Sequence, residues 1–94
     1  MIEAKSIIAG NTKDERLRII DGIGKLFFYE RFDVPSVLEN KKAKVQKVML
    51  FSQEPNRKEH VEFLEKIGIW VLWFDEHANL AGEGDSIRGM SMLL

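Results

Sequence analysis

The sequence predicts an α/β fold in which strands and helices alternate in the order β-α-β-α-β. Three short apolar runs have the length of strands, and a longer segment with helical apolar spacing follows each of the first two. Both connecting segments are long enough for parallel pairing of the strands they join. We therefore expect a largely parallel or mixed sheet flanked by helices.

The first predicted strand and helix are separated by only a short connection. The first strand is predicted at residues 2–8, and Thr12 and Glu15 have the spacing of a capping box at the start of a helix over 13–32. That helix is expected to end at Asp33, Val34 and Pro35, because a residue that precedes proline avoids the helical region. Segment 36–44 has no clear pattern and is either a loop or a short extra turn.

The second half of the chain repeats the alternation. A strand is expected within 45–53, because its continuous apolar run at 48–51 is typical of strands covered on both faces. A helix over 54–68 follows, with Pro55 in its first turn and Gly68 at its end, and then a strand at 69–74. The whole chain is expected to form a single domain, 1–94, with a core at about 2–75 and a loop-rich tail at 76–94, either a loop alone or a loop with a short terminal helix or strand.

Composition narrows the class of protein. The chain has 94 residues, a formal net charge of −1 and no cysteine, so neither a disulfide framework nor a thiolate metal site is available. No stretch approaches the length of a membrane span, and we expect a cytoplasmic protein without a membrane partner. The two histidines, His60 and His77, lack metal-ligand spacing.

Charged residues on the first strand and helix are the candidates for chemistry. Glu3 and Lys5 stand two residues apart and share one face of their strand. On the helix, Asp21 and Lys25 have the spacing of an ion pair within a polar stripe, and a solvated helix face explains that stripe equally well. Gly22 and Gly24 indicate either a helix backbone packed closely on another element or a distortion of the helix. Close packing on the sheet would bring Lys25 near the sheet's edge or end.

Three segments in this order carry a resemblance to a known family. They are "IEAKS" at 2–6, "IGKLFFYE" at 23–30 and "GIWVLWFDE" at 68–76. Together they resemble the C-terminal half of a PD-(D/E)XK, restriction-endonuclease-like nuclease domain, over about residues 2–75. The resemblance implies metal-dependent hydrolysis of DNA phosphodiesters, with Mg²⁺ or Mn²⁺ as cofactor. It makes Glu3 a metal-ligand carboxylate and Lys5 the catalytic lysine, and it places Lys25 where the family often has a glutamine that faces the active site.

The chain also departs from that family. The family's other acid lies on the strand before the acid-x-lysine strand, and the sequence begins at that second strand. We therefore expect a nuclease core without its front half, inactive or very weak alone. A second acid-x-lysine at Glu39 and Lys41 falls in the unpatterned segment.

A non-catalytic interaction or assembly module that forms a homo-oligomer is the alternative. An unpaired edge on the first strand favours self-association, which would cover its free backbone groups. A loose basic set, either a solvated surface or a contact to phosphates, comprises Lys41, Lys42, Lys44, Lys47, Arg57 and Lys58.

Overall fold

A computed structural model describes residues 1–32, 46–84 and 86–88. Its elements are β1 (Ile2–Lys5), α1 (Thr12–Phe32), β2 (Lys47–Phe51), α2 (Lys58–Lys66), β3 (Ile69–Phe74) and β4 (Leu80–Gly82). The predicted α/β class is confirmed, and the predicted order of the first five elements is the order found. The expected end of the first helix and the acid-x-lysine at Glu39 and Lys41 lie outside the described residues.

The four strands form one mixed sheet in the order β1-β2-β3-β4. β1 pairs in parallel with β2, and β2 pairs in parallel with β3, as the two crossovers predicted. The register sets Glu3 beside Met49 and Lys5 beside Phe51, while Met49 in turn lies beside Val71. Because paired residues share a face, the two charged residues of β1 lie on the same face as these apolar side chains.

Both helices cover that one face of the sheet. Ile19 and Leu26 of α1 and Val61 and Leu64 of α2 belong to one buried cluster with strand side chains. Those strand side chains are Met49, Phe51, Ile69, Val71 and Trp73. This main cluster therefore lies between the helices and the sheet, and Glu3 and Lys5 stand at its β1 margin.

β1 is shorter than predicted. It ends at Lys5, whereas the apolar pattern suggested a strand to residue 8. The Ile7 N–H donates to the Ser52 side-chain oxygen at 3.0 Å, and the Asn11 N–H donates to the Ile8 carbonyl at 3.1 Å in a turn. The chain therefore leaves the sheet after Lys5 and turns towards α1.

The N-terminus of α1 is capped by Asn11 and not by the predicted pair of Thr12 and Glu15. The side-chain oxygen of Asn11 accepts the Asp14 N–H at 3.0 Å, the usual bond of an N-cap residue. Thr12 is already the first residue of the helix. Glu15 is thereby released for a different partner, described below.

A fourth strand and a returning segment occupy what the sequence predicted as a loop-rich tail. β4 runs antiparallel to β3, with Trp73 opposite Ala81, after a tight connection in which the Asp75 carboxylate accepts the N–H groups of His77 and Asn79 at 2.9 Å. Beyond β4, Ser86 is fully buried, and its hydroxyl accepts the Val71 N–H at 3.0 Å. A strand of three residues is too short to show alternation in sequence.

Candidate functional site

β1 and the middle of α1 bring four charged side chains together. Glu3 and Lys5 project from β1 towards α1, and Asp21 and Lys25 project from successive turns of α1. The spacing of two along the strand and of four along the helix makes each pair neighbours. We call Glu3, Lys5, Asp21 and Lys25 the charge quartet. It contains all three residues that the sequence proposed as catalytic, Glu3, Lys5 and Lys25.

Every carboxylate in the quartet contacts both ammonium groups. Lys5 Nζ lies 3.3 Å from Glu3 Oε1 and makes a close ion pair with Asp21 Oδ2. Lys25 Nζ lies 3.1 Å from Asp21 Oδ2 and 3.7 Å from Glu3 Oε1. The i,i+4 ion pair between Asp21 and Lys25 that the sequence predicted is confirmed. Two carboxylates and two ammonium groups leave the quartet formally neutral.

The quartet has an inner and an outer half. The side chains of Lys5 and Glu3 are 7% and 17% exposed, whereas those of Lys25 and Asp21 are 45% and 53% exposed. Anything that approaches from solvent therefore meets Lys25 and Asp21 first. The inner pair is held at the margin of the core.

Close packing of α1 holds Lys5 in place. A Cβ atom at Gly22 would lie 2.7 Å from Met49 Cε and 3.3 Å from Lys5 Cε, so the missing side chain lets the helix approach the strand. The sequence predicted such packing for both glycines of α1. Gly24 does not conform, because a Cβ atom there would meet no heavy atom within 4 Å.

Electrostatics favour the charged form of the outer pair. The hydrogen bond from Lys5, followed by that from Lys25, lowers the pKa of Asp21 below its ordinary value. The hydrogen bond to Asp21 raises the pKa of Lys25. The carboxylate and the ammonium therefore stabilise each other's ionised state at neutral pH.

A divalent cation does not fit the quartet as the side chains stand. Glu3 and Asp21 supply hard oxygen ligands of the kind that Mg²⁺ and Mn²⁺ prefer. However, the oxygens that face the cluster, Glu3 Oε1 and Asp21 Oδ2, are each occupied by two ammonium groups. Within residues 1–32, 46–84 and 86–88, no three His, Cys, Asp or Glu side chains are grouped as metal ligands.

A shallow groove of about 420 Å³ lies beside the outer pair along α1. Its lining residues are Ile20, Asp21, Gly24, Lys25, Phe28 and Tyr29. The open space above Gly24 forms part of the groove, and Ile20 and Phe28 stand one turn to either side of it. The groove therefore joins an apolar helix surface to the charge quartet.

A second polar cluster, which no motif in the sequence indicates, joins the first turns of the two helices. Glu15 is completely buried; its Oε1 accepts the Asn56 N–H at 2.7 Å, and its Oε2 lies 3.3 Å from His60 Nδ1. Because Asn56 is 41 residues further along the chain, no local pattern indicates this contact. The cluster anchors the start of α2, where Arg57 provides no side-chain cap.

The basic residues predicted as a possible phosphate contact are only partly described. Lys47 pairs with Glu30 at 2.6 Å and lies 4.6 Å from the centre of the Phe27 ring, and Arg57 pairs with Glu59 at 3.0 Å. Lys41, Lys42 and Lys44 lie outside the described residues. Lys47 and Arg57 are therefore engaged in ion pairs within the chain.

Comparisons with known proteins do not assign the chain to a family. Protein-family models, curated proteins and solved structures gave no significant match to this chain. Across the part of the chain that is described, no helix has both the length and the apolar character needed to cross a membrane. The resemblance to PD-(D/E)XK nucleases accordingly stays a prediction.

Proposed function

We propose that the chain is a nuclease-like module that carries the acid-x-lysine part of a metal-dependent phosphodiesterase site for DNA. One observation carries the proposal. Glu3, Lys5 and Lys25, which the resemblance names as site residues, lie together on one face of β1 and α1. The composition, with a formal net charge of −1, adds no support for a nucleic-acid enzyme, so the proposal depends on this cluster.

The charge chemistry of the quartet supports contact with a phosphate. Lysine ammonium groups stabilise negative charge on phosphoryl oxygens, and Lys25 is exposed enough to reach one. Lys5 lies behind it, held by Gly22 and close to Glu3. In this proposal Lys25 binds the phosphodiester, and Lys5 stabilises charge that builds during its cleavage.

The proposal also requires an acid beyond those of the quartet, because both quartet acids are already neutralised by lysine. β1 is the first strand of the sheet and pairs only with β2 among the described strands. Its other edge is therefore able to accept a strand from another segment or subunit. Such a strand would lie directly beside Glu3 and Lys5, where a further carboxylate would complete a metal site.

Plasmid nicking with Mg²⁺ or Mn²⁺ tests this function. We expect at most slow nicking by the chain alone, because the metal site lacks the further carboxylate that would position the ion. A misplacement of about 1 Å at a reacting centre costs on the order of a hundredfold in rate. Any nicking should disappear in Glu3→Gln and Lys5→Met and persist in Lys66→Gln, which removes a similar charge from the exposed end of α2. Nicking that survives both site variants would contradict the proposal.

Binding of a labelled DNA duplex, measured by fluorescence anisotropy, decides the case in which no nicking is detected. The proposal expects salt-dependent binding that Lys25→Gln weakens more than Lys66→Gln does. Equal effects of the two substitutions, or no binding at low salt, would remove DNA as the substrate.

A homo-oligomeric assembly module is the second candidate, and the exposed apolar surface of α1 favours it. Leu17, Ile20, Phe28 and Phe32 are 55–60% exposed, an unusual density of large apolar side chains on one helix. A two-fold axis near Gly24 would set Ile20 of one copy against Phe28 of the other, the self-complementary arrangement of a symmetric dimer.

We expect a dimer by light scattering at high micromolar concentration and a monomer after Ile20→Glu. A wild-type monomer at that concentration would exclude this candidate.

A further inference from the structure

The quartet places an ammonium group where a carboxylate pair would otherwise hold a cation. Lys25 Nζ contacts Asp21 Oδ2 at 3.1 Å and Glu3 Oε1 at 3.7 Å, so it bridges an acid of α1 to an acid of β1. A divalent cation held by the same two oxygens would need the position that this ammonium occupies. The two cations would also repel each other at such short range.

Lys5 cannot play the same part. Its side chain is 7% exposed and lies behind the carboxylates, against the helix at Gly22. It neutralises one of the two negative charges and leaves the other for a second cation. Lys25 is 45% exposed, stands at the solvent side of both acids, and supplies that second charge. The cation that an incoming metal ion has to displace is therefore Lys25.

We propose that Lys25 excludes divalent metal ions from the Glu3–Asp21 pair of this chain by acting as the pair's internal cation. Lys25 is in this sense the residue that determines which cation the site takes. Lysine side chains are charged throughout the neutral range, so this cation is present under the conditions in which a metal ion would bind. This inference concerns the binding of a cation and does not rest on nuclease activity.

Removing the ammonium should open the site. With Lys25→Gln, Glu3 and Asp21 keep Lys5 as their only quartet partner, and the cluster carries a net charge of −1. Mg²⁺ and Mn²⁺ are commonly held by one or two carboxylates together with waters. Removing a unit charge at this range should tighten binding by about tenfold or more, even with the screening expected of a half-exposed group.

Paramagnetic broadening by Mn²⁺ in amide NMR spectra measures that binding residue by residue. We compare the wild-type chain with Lys25→Gln, with Lys66→Gln as the matched loss of charge, and with the double variant Glu3→Gln/Lys25→Gln. We expect broadening centred on the amides of Glu3, Lys5 and Asp21 in Lys25→Gln, at Mn²⁺ concentrations about tenfold below any effect in the wild type. The double variant should lose this broadening, and Lys66→Gln should match the wild type.

Three outcomes would overturn the inference. They are equal broadening at the quartet in wild type and Lys25→Gln, no local broadening in either, and the same gain in Lys66→Gln. Preserved chemical shifts in the remaining amides verify that each variant is folded. The readout requires neither DNA nor cleavage, so a negative nicking assay leaves this test unaffected.

Discussion

Replacing Phe51 with alanine is expected to lower the free energy of unfolding by about 3–5 kcal/mol, the usual cost of truncating a buried phenylalanine. Phe51 is completely buried at the end of β2, and it lies beside Lys5 of β1 and Trp73 of β3 in the sheet. The loss removes apolar burial and leaves a cavity between the helices and the sheet. Since small domains are stable by only about 5–15 kcal/mol, this single change removes a large part of the total.

Urea unfolding followed by circular dichroism measures the effect, with Phe63→Ala as the matched control. Phe63 lies on α2 and is 53% exposed, so its truncation should change the unfolding free energy by no more than about 0.5 kcal/mol. Similar losses in the two variants would show that Phe51 is not at the centre of the core.

Lys5→Met is expected to produce the largest electrostatic change at the site. Lys5 is the main cause of the lowered pKa of Asp21, ahead of Lys25, and methionine keeps the length of the buried side chain while it removes the charge. The pKa of Asp21 should therefore rise towards its ordinary value in this variant. Lys25→Gln should have a smaller effect in the same direction.

The sign of the accompanying pH dependence follows from that shift. Because the pKa of Asp21 is lower in the folded chain than in the unfolded one, its ion pairs contribute stability above the unfolded pKa. This contribution is lost as the pH falls through the folded pKa, and it reappears in the same window on neutralisation. Lys5→Met should weaken this dependence in the acid range.

Local patterns in the sequence predicted the elements whose formation depends on local residues. The bounds of β3, Ile69–Phe74, agree with prediction because a continuous apolar run followed by Asp75 marks both the strand and its end. Glu3 and Lys5 share a face because alternation in a strand is a local property. The ion pair of Asp21 with Lys25 follows from helical spacing alone.

Long-range contacts set what the sequence could not predict. α2 is expected to begin near Pro55, yet it begins at Lys58, after an extended Arg57. The preceding Asn56 N–H donates to Glu15 on the other helix, a contact that no local pattern indicates. The contact between Asp21 and Lys5 depends on how α1 packs over β1 at Gly22, which spacing does not specify. The sequence therefore predicts Asp21 as the helical ion-pair partner of Lys25 and not as a partner of the strand.

β1 and α1 join four charges into one network, and the pKa of the Asp21 carboxyl reports on that network. A ¹³C NMR titration of the side-chain carboxyl carbon gives this pKa in the wild type, in Lys5→Met and in Lys66→Gln. We expect a wild-type pKa below the ordinary value of an aspartate, a higher pKa in Lys5→Met and no change in Lys66→Gln. A wild-type pKa at or above the ordinary aspartate value, or one that Lys5→Met leaves unchanged, would show that the four charges do not form a network.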